Sequence, residues 1–128
     1  MNNPSYSTIK GVLIDESVLN ELRKIMEDKF TEVLHLYLEE SVGLMSYVHA
    51  GFYEESDKLL FAVCTLKSCN NNVGAKHLGE IAVKMEALVK AGNIDAARIH
   101  LDDLQDVFSE THGQIKKYVQ NEVREVAF

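Results

Sequence analysis

The chain has 128 residues, 46% of them hydrophobic, and a single proline, which suits one compact helical domain with one core and does not favour disorder. Twenty acidic residues against thirteen basic ones give a net charge of −7, which argues against nucleic-acid binding, since that needs a positive field. No apolar run reaches the length of a membrane span, and the opening MNNPSYST lacks a charged start followed by an apolar stretch, so neither a membrane segment nor a signal peptide is read.

Residues 1–12 are polar and are expected to form a flexible, loosely docked segment ahead of a single domain over 13–128. Asp15 suits the N-cap of a short helix with Val18, Leu19, Leu22, Ile25 and Met26 on one side. Asp28 suits the cap of a second helix, from about 30 to 49, whose Leu34, Tyr37, Leu38, Met45 and Val48 keep three-and-four spacing, with Ser41 as the small member and Gly51 as the stop. A third helix is expected from about 54 to 71, interrupted by Asn72 and Gly74. A fourth runs to about 90 with Leu78, Ile81, Ala82, Met85 and Leu88 inward, and Lys90-Ala91-Gly92-Asn93 reads as its stop. The last helix is expected to be continuous from about 94 to 126, with Ala97, Leu101, Leu104, Phe108, Ile115 and Val119 as its stripe and Thr111 filling one turn. No strand alternation or repeat is present, and short links between amphipathic helices imply antiparallel neighbours. The expected fold is all-α: an antiparallel up-down four-helix bundle with an additional short N-terminal helix.

The third helix carries the chemistry. At about 100° per residue, Leu59, Val63, Leu66, Asn70 and Val73 fall on one line, which should face a core. Leu60, Cys64, Lys67, Ser68 and Asn71 fall on the other side. The only other cysteine, Cys69, points about 140° away from Cys64 on the same helix, so a bridge between them is not expected, and a reduced cytoplasmic setting follows. Cys69 lies nearer the core side and reads as a small buried residue.

The run Val63-Cys64-Thr65-Leu66-Lys67-Ser68-Cys69-Asn70-Asn71-Asn72-Val73-Gly74-Ala75 resembles the signature of histidine-containing phosphotransfer (HPt) domains, roughly A-H-T-L-K-G/S-S-S/A-x-N-x-G-A. Thr65, Leu66, Lys67, Ser68, Val73, Gly74 and Ala75 fit without a gap, but the family's phospho-accepting histidine is Cys64. The resemblance is strongest over 59–88 and implies the same bundle that the periodicity gives. It also implies a monomeric phosphorelay module whose partners are a response-regulator receiver domain, a hybrid sensor kinase, or both, with no cofactor, no metal and no catalysis of its own. In the family an imidazole on an exposed helix face takes a phosphoryl group from a receiver aspartate and passes it on, while the protein supplies positioning and charge. On that basis Lys67, one turn after position 64, would reach phosphate oxygens, and Leu60, Ser68 and Asn71 would form the docking surface.

A cysteine changes the chemistry. Its sulfur lies one bond beyond Cβ, so the nucleophilic atom retreats by roughly 2–3 Å where a near-attack distance is about 3–3.5 Å. A thiol of pKa about 8.5 is also mostly protonated at neutral pH, although Lys67 would lower that value. Useful relay through Cys64 is therefore not expected, while docking can survive. Three explanations stand side by side: a natural degenerate HPt domain that binds without relaying, an engineered substitution in an active one, and a thiol-based redox sensor that uses Cys64.

His77, near the start of the fourth helix, could lie near the docking face, either as a surrogate acceptor or as a solvated surface residue. His35, His49, His100 and His112 read as surface or helix-end residues. Glu32-Val33-Leu34-His35 has the spacing of a di-iron bundle ligand pair, but no second copy exists, so no metal site is expected. Asn70, polar within the inward stripe, either hydrogen-bonds the loop before Gly74 or simply marks the helix end.

Overall fold

The computed structural model describes residues 12–53 and 57–126, with side chains through residue 122. The expectation for 1–12 therefore falls almost wholly outside the described residues, as does the proposed start of the third helix at Glu54. The helices are α1 (Glu16–Met26), α2 (Phe30–Tyr53), α3 (Lys58–Asn72), α4 (Lys76–Lys90), α5 (Ile94–Ile99) and α6 (Leu101–Val126). They form an antiparallel up-down bundle in which α2, α3, α4 and α6 close a ring: α2 packs on α3, α3 on α4, α4 on α6 and α6 on α2. α1 packs across α2, and among the described residues no helix is long and apolar enough to cross a membrane.

Local sequence explains most of the element ends. Asp15 caps α1, its carboxylate accepting the Ser17 N–H at 3.0 Å. On α1 only Leu19 is fully buried, while Leu22 and Met26 pack against the core from its edge; Ile25, expected inward, is 72% exposed because one thin helix lying across a bundle buries a narrow stripe. The segment around Asp28 is a 3-10 turn, Glu27–Lys29, that leads directly into α2, so Asp28 lies inside this turn instead of capping a free helix end.

Gly51 does not stop α2, which continues to Tyr53. The glycine serves packing: a Cβ there would lie 2.9 Å from Leu59 Cβ, so its absence lets α3 come close. The expected final helix is divided at His100, whose N–H bonds back to Ala97 O at 3.1 Å. The division lets α5 lie on α4 while α6 packs against both α2 and α4, and it keeps Ala97 and Leu101 both buried.

The core joins Leu19, Phe30, Leu34, Val48, Leu66, Leu78, Met85, Leu104 and Ile115, all essentially without solvent contact. Two polar pairs interrupt it. Tyr37 Oη donates to Asn70 Oδ1 at 2.9 Å, tying α2 to α3. The Asn70 side chain thus serves the core, while its backbone carbonyl accepts the Ala75 N–H, and α3 runs on to Asn72. The second pair overturns the surface reading of His112. It is 9% exposed, its Nε2 lies 2.7 Å from Ser41 Oγ, and its ring centroid is 4.1 Å from that of Phe108. The residue sits four after Phe108 and three before Ile115, on the inward line of α6.

Burial, with a smaller push from Lys116, lowers the His112 pKa to about 4. An unfolded histidine titrates near pH 6.5, so as pH falls the unfolded chain takes up this proton first. The stability tied to neutral His112 is full above that pH and is lost between about pH 6.5 and 4, to a total of about 3 kcal/mol. Thermal melts across this window should show a falling midpoint in the parent protein and a shallower fall in His112→Gln. Parallel curves for the two proteins would remove His112 as the cause.

Candidate functional site

α3 divides as its periodicity requires. Leu59, Val63, Leu66, Asn70 and Val73 are buried. On the far side, Ser68 and Asn71 are exposed and Leu60, Cys64 and Lys67 are half-buried. The strip also holds a residue that the sequence reading passed over: Phe61, 70% exposed and one turn before Cys64. From the neighbouring helix Val83 adds a second exposed apolar side chain, 48% accessible.

Cys64 does not stand free. Its thiol donates to Glu86 Oε2 on α4 at 2.7 Å. The other carboxylate oxygen, Oε1, accepts from Lys67 Nζ at 2.9 Å, and Lys90 Nζ lies 3.7 Å from Oε2. Glu86 is thus the hub of a four-residue cluster, with only 12% of its side chain exposed. The thiol hydrogen bond, the Lys67 hydrogen bond and the two cations hold its carboxyl down to about pKa 2, so it is ionised at neutral pH.

That charge reverses the expected effect on sulfur. Lys67 and Lys90 do favour a thiolate, but the Glu86 carboxylate, which the S–H bond needs and a thiolate would repel, prevails and raises the Cys64 pKa. Lys67 is held protonated by the same carboxylate. The electropositive setting that an activated thiolate requires is therefore cancelled from α4.

Glu86 was legible in principle. α3 and α4 form an antiparallel hairpin folded about Gly74 and Ala75; Cys64 lies ten residues before Gly74 and Glu86 eleven after Ala75. Residues at nearly equal distances from such a turn lie at the same level of the hairpin. The turn itself is fixed by Gly74 at φ +75°, with Ala75 N–H donating to Asn70 O at 2.8 Å.

His77 stands in the first turn of α4, half-buried, with its backbone N–H directed to Leu13 O at 3.4 Å. Its Nδ1 is buried and has no hydrogen-bond partner among the described residues. Cys69 is half-buried at the edge of the core, and burial raises its pKa.

No family model matches the chain, and no curated protein matches it. Solved structures do. The chain superposes on histidine-containing phosphotransfer protein B (HptB) from Pseudomonas aeruginosa PAO1 with a TM-score of 0.82 and 20% identity, over 88% of this chain and 98% of that one. The histidine-containing phosphotransfer protein ZmHP2 from maize gives 0.78 at 22% identity, over 93% and 91%. A putative histidine-containing phosphotransfer protein from rice gives 0.76 at 17% identity, over 88% and 83%. The chain therefore has the fold of these phosphotransfer proteins.

Proposed function

We propose that the chain is an HPt-type signalling module that docks a response-regulator receiver domain, or the receiver portion of a hybrid sensor kinase, through the Cys64 face without relaying phosphate. It would act in the cytoplasm as a monomer, with no cofactor and no reaction of its own. The observation that carries the reading is Cys64 on the exposed side of α3, immediately before a Thr-Leu-Lys-Ser run and on an HPt-like bundle, with its thiol held by Glu86.

Each part of the face has a role in that reading. Phe61, Leu60 and Val83 offer apolar contact, and Ser68 is small enough for a partner to approach. Asn71 extends the strip toward the α3–α4 turn. Cys64 presents a short, protonated, hydrogen-bonded sulfur where a relay needs an extended nucleophile. A thiolate-based sensing role has no support from this geometry, because the S–H bond to a carboxylate opposes ionisation.

The test uses receiver domains labelled as the aspartyl phosphate. Calorimetry should detect a complex, and Phe61→Asp should weaken it by about tenfold or more, as loss of a central aromatic contact does. Radiolabel should remain on the receiver or be lost to water. Label on the chain would refute the loss of relay; no binding to any receiver would refute the docking role.

A further inference from the structure

The Glu86 carboxylate does more than touch the sulfur. It engages the ammonium of Lys67 at 2.9 Å, lies 3.7 Å from that of Lys90, and carries its own negative charge within hydrogen-bond reach of the thiol. A phosphoryl group arriving at position 64 carries about two negative charges and needs such cations as it is transferred. It would meet a resident anion instead, with the cations already committed.

We propose that Glu86 is a built-in anion that occupies Lys67 and Lys90 in place of a phosphoryl group, so that phosphoryl acceptance at position 64 is closed by Glu86 as well as by the missing imidazole. This inference rests on the phosphotransfer reading of the face. Its consequence is specific: restoring the imidazole alone leaves the site slow, and removing the charge at position 86 opens it.

The step concerned is simple to balance. In Cys64→His, a ring nitrogen lone pair forms the N–P bond. The bond from phosphorus to the donor breaks, its electron pair leaves with the donor, and the ring proton passes to solvent. The donor leaves as ammonia from phosphoramidate, a small reagent that needs no docking, or as a carboxylate from a receiver aspartyl phosphate.

The experiment compares phosphoramidate labelling of Cys64→His with that of Cys64→His/Glu86→Gln and Cys64→His/Glu86→Ala, each checked for helical content. Cys64→His/Glu80→Gln removes one exposed α4 carboxylate as a control for net charge. The two Glu86 double variants should label at least about tenfold faster than the single variant, in line with a freed transition-state cation, and the control should not. A second readout uses Cys64 itself: Glu86→Gln alone should lower the thiol pKa and speed its alkylation at neutral pH. Equal labelling of single and double variants, or alkylation unchanged by Glu86→Gln, overturns the inference. Labelling by phosphoramidate that is not matched by a phosphorylated receiver sinks the docking reading and leaves the role of Glu86 standing.

Discussion

Alanine in place of Gly74 is expected to destabilise the protein by about 2–5 kcal/mol, the sum of a backbone term and an overpacking term. The residue lies at φ +75°, a conformation that costs an alanine about 1–2 kcal/mol. A Cβ would also stand 2.7 Å from Asp15 O and 3.1 Å from Val18 Cβ. The first of these contacts is with backbone, which cannot swing aside. Asp15 is the cap of α1, and its N–H donates to Gly74 O at 2.7 Å, so any retreat strains both the cap and the α3–α4 turn. Gly92→Ala supplies the comparison. That glycine has φ +78° but nothing within 4 Å of a built Cβ, so it should show the backbone term alone, about 1–2 kcal/mol. Urea denaturation of the two variants checks the claim; equal losses would mean that the approach of α1 to the turn contributes nothing. Gly74 thereby has a structural reason that is independent of any chemistry at Cys64.

The helical wheel of α3 read directly because that helix has one wet side and one dry side, and its periodicity records the division. Five inward residues and five outward ones were placed from sequence for that reason. What failed to read has equally physical causes. Gly51 signals a helix end when a chain is considered alone, yet the same absence of Cβ serves close helix approach, and only the presence of Leu59 decides which use applies. His112 is polar, yet the spacing of the α6 stripe includes it; its burial is matched by Ser41, which lies on another helix. Glu86 does not stand out in the sequence because a carboxylate beside the buried stripe of α4 resembles one on its solvated side, such as Glu80. The meaning of Glu86 arises mainly across the α3–α4 hairpin, from Cys64 and Lys67, with Lys90 as the one partner along α4. Periodicity carries the relation of each helix to the core, and the relations between helices enter only through the turn that sets their register.

Leu66→Ala is expected to cost about 3–5 kcal/mol, the range of buried leucine truncations that leave a cavity. Leu66 has no solvent contact and lies between Val63 and Asn70 on the inner side of α3, where α2 and α4 both pack against the helix. The surrounding Leu59, Val63 and Ala62 are themselves held at 2% exposure or less, so little can move to refill the space. For a chain of this size the loss corresponds to a fall of about 10–20 °C in melting temperature. Phe61→Ala removes a larger side chain from the same helix, but one that is 70% exposed, so it should change stability by no more than about 0.5 kcal/mol. The pair separates the two jobs of α3: truncation on the inner side removes the fold, and truncation on the outer side leaves the fold and removes only what the face binds. Urea midpoints at equal slope give both numbers. A Leu66→Ala cost below about 1 kcal/mol would mean that α3 is not seated by this stripe. The rotation that sets Cys64 outward and within reach of Glu86 would then lose its cause.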